Sequence, residues 1–522
     1  MANGQLALVL HAHLPYVRSS EPGSLEADWY FQALQECYLP LLECLEAAAA
    51  DPQQHPRLTL GLSPTLLSLL ADQELNARFL PWLDTRLELL ALAPHGFEAA
   101  AADLHHRLER VRHQWQECQG RLVPRFRRLQ QAGVLDLITC GATHGYLPLL
   151  RQVPEAVRAQ LLNAVREHRR QLGEPPLGIW LPECAYYEGL DQQLIAAGLR
   201  YSVLDGHGLL HGQPRPRYGV FAPICSPAGV AFFGRDGNAT LPVWSAREGY
   251  PGDGAYREFH RDLGWDLPVE RLEAAGITSR RPLGLKLHRV SGRGCPLDRK
   301  QPYDPALAAQ RIEEHASAYL EGRRLELNGL ADSMAQSPLL VAPFDAELFG
   351  HWWFEGPRFL AALFRHAAAA GVQLVTLREV LARDQTLQLC HPSPSSWGQG
   401  GYHDYWLNDT NAWVVAEWQR ASLAMVRRVN RGVGSAEQRR MLTQAGRELL
   451  LAQSSDWSFI LRAGTTTELA RERIERHLER FWRLLDAIEA GTALPEGWLQ
   501  AVEGEDALLP ELNAADWMTP IR

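Results

Sequence analysis

Apolar residues fall into two patterns along this chain. Through most of it they gather in short continuous runs bounded by turn or polar residues: Leu6–Leu10, Leu58–Leu62, Leu135–Thr139, Leu177–Leu181, Tyr201–Leu204, Gly284–Leu287, Pro338–Ala342 and Gln373–Thr376. Continuous rather than alternating runs are what strands covered on both faces require. Amphipathic stretches such as Trp29–Ala50 and Leu104–Gln131 separate many of them. Strand–helix alternation on this scale predicts an α/β barrel or a doubly wound sheet. A loop-rich hinge marked by Pro392, Pro394, Gly398, Gly400 and Gly401 follows, and beyond it the pattern turns helical. Helices are predicted over Thr410–Asn430, Ala436–Leu451 and Glu468–Ala490, the last opening on the capping-box spacing Thr465-x-x-Glu468. The division read is a barrel-type unit with inserted helical segments over 1–388 and an all-α unit over 389–522.

The residues after each run choose between the two architectures. Leu10 leads into His11 and His13, Thr139 into His144, Leu181 into Glu183, Leu204 into Asp205 and His207, Leu287 into His288 and Arg289, and Ala342 into Asp345. Polar groups gathered at the C-terminal ends of strands are how a barrel of this kind assembles a site. No GxGxxG follows a run and no P-loop is present, so nucleotide-binding readings have nothing to rest on.

Composition narrows the class further. The 522 residues carry 52 Lys+Arg against 61 Asp+Glu, a net charge of −9, which argues against a broad nucleic-acid-binding face. The opening apolar run, Leu6–Leu10, has no basic stretch before it and no cleavage site after it, and no run approaches membrane-spanning length. Eight scattered cysteines without a CxxC pair predict free thiols in a reduced, cytosolic protein. Sixteen tryptophans, eight of them after residue 396, suit either large helical cores or stacking on sugar rings.

Three constellations carry chemistry. Glu183, in Trp180-Leu181-Pro182-Glu183-Cys184-Ala185-Tyr186, sits just past a buried strand among Pro and aromatic residues. That setting fits a positioned nucleophile, and equally a helix cap or an arginine partner. Asp345 heads a stretch to Pro357 that holds Glu347, His351, Glu355 and four aromatics, and it fits a second catalytic carboxyl or a helix N-cap. Glu347 and His351 fit partners that set its protonation. His11 and His13, two apart in extended chain, point to one side and fit a metal, a sugar hydroxyl or a catalytic carboxylate. His144 is a similar case. Paired carboxyls of this kind suit cleavage of a glycosidic bond, one attacking the anomeric carbon and the other handling the proton.

The motifs HAHLPY at 11–16, ATHGYLP at 142–148, WLPECAY at 180–186 and PFDAELFGHWWFEGP at 343–357 resemble the ordered motifs of glycoside hydrolase family 57, and its branching enzymes most closely. LSPTLL at 62–67, LDGHG at 204–208, VWSAREGYPGD at 243–253, YREFHRDLG at 256–264 and SSDWSFI at 454–460 extend the resemblance over almost the whole chain. It implies a distorted (β/α)7 barrel with helical insertions and an α-helical C-terminal domain closing a glucan cleft. The eight runs are one more than such a barrel holds. It implies retaining chemistry on an α-1,4-glucan, with Glu183 as nucleophile, Asp345 as acid/base and no metal or organic cofactor. His11, His13 and His144 would line the donor subsite, and Trp397, Trp406 and Asp456 would contact glucan from the C-terminal domain. Arg261 and Gly284 would be further contacts, and Trp29 and Trp265 aromatic walls.

One departure stands out. Branching enzymes of the family carry a tyrosine on a mobile loop over the cleft. The corresponding stretch here, Ile224–Val243, contains Phe232 and Phe233 but no tyrosine, with Tyr218 and Tyr250 only flanking it. A shortened loop would let water compete with the acceptor. That keeps an α-1,4-glucan hydrolase or a 4-α-glucanotransferase beside the branching reading. A binding protein without catalysis and a metal-dependent deacetylase are the readings from other classes.

Overall fold

The computed structural model describes residues 4–520 apart from 22, 246, 384, 385 and 433. Ala246, inside the VWSAREGYPGD motif, therefore lies outside the described residues. Ten strands are present among the described residues: β1 (Gln5–Ala12), β2 (Leu58–Leu62), β3 (Leu135–Ile138), β4 (Gly178–Ile179), β5 (Tyr201–Leu204), β6 (Ile224–Cys225), β7 (Ala231–Gly234), β8 (Leu339–Asp345), β9 (Gln373–Leu374) and β10 (Gln388–Leu389).

Seven of them close a ring. β8, β1, β2 and β3 pair in parallel, as do β4, β5 and β7. Thr139 joins the two sets: its N–H donates to Gly178 and its carbonyl accepts from Trp180. The ring returns from β7 to β8 through the Asp236 N–H on the Val341 carbonyl (2.9 Å). A seam of this kind in place of a full ladder is what makes the (β/α)7 barrel distorted. β6 and β10 lie outside the ring, and β9 sits against the first residues of β1.

Two of the eight runs therefore fall outside the ring, and one ring strand is not among the runs. Gly284–Leu287 is buried but forms no strand. The Leu283 and Leu285 amides donate to the buried Asp262 carboxylate (3.0 and 3.1 Å), which takes the place of a neighbouring strand. β9 is only a two-residue supplement. The strand not anticipated is β7, where Phe232 and Phe233 belong to strand packing and are fully buried.

Side-chain parity places the site. In β1, Leu6, Leu8 and Leu10 pack outward under the helices, while Ala7 and Val9 pack inside the ring with Val203, Phe233, Leu339 and Val341. Alternation carries the inward set on to His11 and His13, and in β8 from Val341 to Asp345. β1 and β8 are in register with His11 opposite Asp345.

The chain after residue 411 is helical: Ala412–Asn430, Ala436–Ala452, Ser455–Ala463, Thr467–Ala490 and Glu496–Glu505. The anticipated capping box at Thr465 does not form. The fourth of these helices starts at Thr467, and Thr466 precedes it with left-handed backbone (φ +43) and no side-chain cap. The Pro/Gly-marked hinge crosses the barrel mouth, pinned by Tyr186–Ser395 backbone pairing and by the Trp397 N–H on the Glu183 carbonyl (3.0 Å).

Candidate active site

Glu183 stands on the single turn Pro182–Cys184 that follows β4. It and Cys184 both have left-handed backbone (φ +61 and +51), a conformation that costs about 1–3 kcal/mol for such residues and persists only where surroundings impose it. The side chain keeps 16 % of its exposure, and its Oε2 accepts the Trp397 indole N–H at 2.7 Å. His144 Nδ1 lies 4.0 Å from Oε1. Burial pushes the Glu183 pKa up to about 8; the Trp397 N–H opposes the shift, and the charge of Asp345 adds to it.

Asp345 ends β8 in ordinary extended backbone (φ −65, ψ 135). Burial, and then the charge of Glu347, hold its carboxyl well above the usual carboxylate range, with Arg235 opposing. The two groups titrate as a pair. Once Asp345 holds its proton, its push on Glu183 disappears. Glu183 has a donor for its ionised form, so it is the carboxyl that ionises first.

Three histidines complete the floor. His11 Nε2 lies 3.1 Å from His144 Nε2, and the His13 and His144 rings stack at 3.9 Å. His144 Nδ1 bonds Ser455 (2.7 Å), and burial drops its pKa to about 3; burial also holds His11 well below the imidazole range. Neutral rings let these two exchange hydrogen bonds with hydroxyls and spare the stack repulsion between like charges. His13 Nε2–H donates to Asp456 at 3.0 Å, from the first turn of helix Ser455–Ala463. Burial pulls Asp456 upward, but the charge and hydrogen bond of His13 outweigh it and hold the carboxylate below its usual range.

Behind Asp345 lies a feature the sequence does not announce. Residues Leu34–Tyr38 form a π-helical turn, with the Leu39 N–H reaching the Leu34 carbonyl five residues back. The wider turn aims Glu36, Cys37 and Tyr38 at the Asp345–Trp353 segment. Tyr38 O–H donates to Glu347 Oε1 (2.6 Å), which also accepts the His13 N–H (3.1 Å), and Cys37 donates to the Ala346 carbonyl. Burial lifts Glu347 to about 7 against these donors. Glu36 pairs with His351 (2.5 Å) and Arg257 (3.2 Å). Gly350 must be glycine, since a Cβ there would fall 1.8 Å from the Glu36 carbonyl oxygen and its φ is +122.

The structure thus gathers Glu183, Asp345, His11, His13, His144, Trp397 and Asp456. It does not gather all the rest. Trp406 is 1 % exposed and stacked on Tyr146 (4.5 Å), so it packs as core instead of opening on the cleft. Arg261 is committed to Asp266 (3.2 Å) and the Leu297 carbonyl. Gly284, at φ +77, lies against Gln35 and Glu36. Trp29 is partly buried against the core, and Trp265 stands 46 % exposed. Tyr38, Glu36 and Arg235 are site groups that no local motif marks, and Ser455 is one that lies within the SSDWSFI motif.

Of three sets among the described residues that could hold a cation, two lie at this site and the third, Glu448, His477 and Asp506, lies in the helical part. His13, His144 and Asp456 present ligand atoms within 4.8 Å of one another, as do His11, Cys140 and His144. The fold thereby supplies the third ligand-capable group that the sequence around His11 and His13 lacks. His13 and Asp456 already satisfy each other. All eight cysteines are free thiols, and no helix among the described residues is long and apolar enough to cross a membrane.

Residues 7–390 match the family model for glycosyl hydrolase family 57, and residues 417–517 match that for the C-terminal part of 1,4-alpha-glucan branching enzymes. A 1,4-alpha-glucan branching enzyme of Thermococcus kodakarensis is 32 % identical over 518 residues, covering 93 % of this chain and 74 % of its own length. Among solved structures, the alpha-amylase AmyC of Thermotoga maritima superposes with a TM-score of 0.92 at 35 % identity, covering 99 % of this chain and 100 % of the other. The family 57 branching enzyme of Pyrococcus horikoshii does so with 0.90 at 30 %, covering 99 % and 97 %.

Proposed function

The chain belongs to glycoside hydrolase family 57, and we propose that within it the protein is a retaining 1,4-alpha-glucan branching enzyme. The observation that carries the branching activity is the match of residues 417–517 to the branching-enzyme C-terminal part. That segment contains Asp456, hydrogen-bonded to His13 of the barrel.

Glu183, ionised, attacks the anomeric carbon of an α-1,4-linked glucose. The C1–O4 bond breaks as Asp345 gives its proton to the departing oxygen, leaving a glycosyl ester on Glu183. Asp345, now a carboxylate, takes the proton of an acceptor 6-hydroxyl. The acceptor oxygen bonds to C1, Glu183 departs, and an α-1,6 branch results. Two inversions give retention. His11, His13 and His144, with Asp456 holding His13, bind the donor sugar. Trp397 orients Glu183 and forms a wall of the cleft.

A hydrolytic reading has two observations in its favour, the tyrosine-free stretch Ile224–Val243 and the 35 % identity to the solved structure of an alpha-amylase. Incubation with amylose separates the two. New α-1,6 linkages, counted by proton NMR, should well exceed new reducing ends. Reducing ends that rise without any α-1,6 signal would make the protein a hydrolase.

A further inference from the structure

Two large indoles beside the dyad stand open to solvent with no packing role to explain them. Trp244 is 39 % exposed and Trp352 is 45 % exposed, in a chain that buries most of its large aromatics. Trp244 ends the helix Gly237–Trp244, which leaves β7. That helix is a rigid mount. Asp236 caps it through the Asn238 and Ala239 amides, Tyr319 O–H and the Arg323 guanidinium donate to its first carbonyls, and Ala239, Thr240 and Val243 are buried. Trp352 stands on the turn that follows Asp345, its N–H on the Glu347 carbonyl (3.1 Å).

The two rings meet edge to face at 6.4 Å, and Trp244 in turn lies 5.9 Å from Trp397, tilted by 38°. Trp397 is the residue whose N–H bonds Glu183. A continuous aromatic surface therefore runs from the nucleophile, through Trp244, to the turn that carries the acid/base. The sugar that leaves from Asp345 and the sugar that arrives to be deprotonated by it occupy the same side of the bond. Exposed flat indoles on that side match the apolar face of a glucose ring.

We propose that Trp244 and Trp352 form an acceptor platform, on which the incoming α-glucan chain stacks and from which it displaces water next to the glycosyl ester. This rests on the branching reading for its context. Trp244 lies one residue beyond the tyrosine-free stretch Ile224–Val243, so the cleft is not left without an aromatic cover on that side.

The test uses the full chain with a 4-nitrophenyl α-maltopentaoside donor and maltohexaose acceptor. Nitrophenol release counts each turnover at the aglycone bond, and oligosaccharide analysis counts cleavage of the internal bonds and transfer to maltohexaose whatever its linkage. In Trp244→Ala and Trp352→Ala, transfer per release should fall about tenfold or more, equivalent to about 1.4 kcal/mol. Half-saturating maltohexaose should rise in proportion, and Trp244→Phe should keep most of the transfer. An unchanged partition in folded variants, or equal loss of release and transfer, would overturn the platform. Wild-type transfer products containing only α-1,4 bonds, with the same dependence on Trp244, would sink the branching reading and leave the platform standing. If the wild type passes everything to water, the platform is read from maltohexaose quenching of indole fluorescence in Glu183→Gln. Trp244→Ala in that background should weaken binding about tenfold, and unchanged binding would reject the platform.

Discussion

The turns that carry Glu183 and Asp345 do opposite things with the same functional group. The Glu183 turn is strained, in left-handed backbone, and is held from outside the barrel: Trp397 takes both its carbonyl and its carboxylate. The Asp345 turn is relaxed, continues a strand, and is held from beneath by the π-helical turn Leu34–Tyr38. Burial lifts both carboxyls. Glu183 then receives a donor that favours its charge, while Asp345 receives a carboxyl neighbour, Glu347, that disfavours it. Depth in the fold therefore does not separate the proposed nucleophile from the proposed acid. The sign of the polar partner with the largest influence does.

The hardest test of that contrast removes each carboxyl in turn. Glu183→Gln should lower turnover by about 10⁴-fold or more on amylose and on a nitrophenyl α-maltooligoside alike, because no ester can form. Asp345→Asn should cost about 10²–10⁴-fold on amylose. It should cost far less in ester formation from the nitrophenyl donor, since nitrophenolate departs without a proton. Initial-rate kinetics with the two donors decides it. A mirror-image result would reverse the assignment.

The two turns were not equally legible in the chain. Both carboxyls follow apolar runs, and parity along β1 and β8 makes the inward side predictable from residue spacing alone. What props each turn was hidden by distance. Tyr38 reaches Glu347 across 309 positions and Trp397 reaches Glu183 across 214. Nothing in Leu34–Tyr38 marks a π turn, because its amphipathic pattern is continuous with the flanking helices. The run Gly284–Leu287 misled for a related reason: apolar residues report burial, while the choice of strand depends on what accepts their amides, here the Asp262 side chain. Ala231–Gly234, no shorter than Tyr201–Leu204, escaped notice because it lies inside the stretch Ile224–Val243 that the resemblance marks as a loop.

A milder test acts on the donor. Trp397→Phe keeps the wall but removes the N–H on Glu183. A bond to the ionised form lowers proton affinity, so its loss raises the Glu183 pKa above its present value of about 8. The ascending limb of the pH profile of kcat/KM should move to higher pH by about one unit, with roughly a tenfold loss of rate below it. The descending limb, which belongs to Asp345, should stay. Movement of both limbs together would mean that Trp397 acts only by packing.

The smallest effect should come from the other turn, and it tests whether the π-helical prop does more than hold the backbone. Tyr38→Phe deletes one buried hydroxyl and leaves Glu347 with the His13 N–H alone. That hydroxyl favours the Glu347 anion, so its loss raises Glu347 from about 7. Where the raised value reaches the pH range in which Asp345 titrates, Glu347 is neutral there, and a neutral neighbour no longer lifts Asp345. Asp345 gives up its proton at lower pH, and the descending limb should move down by about half a unit while the ascending limb stays. Glu347→Gln should move it further the same way. A purely structural tyrosine would lower the whole profile without shifting either limb, so the direction of the descending limb distinguishes electrostatic support from mechanical support.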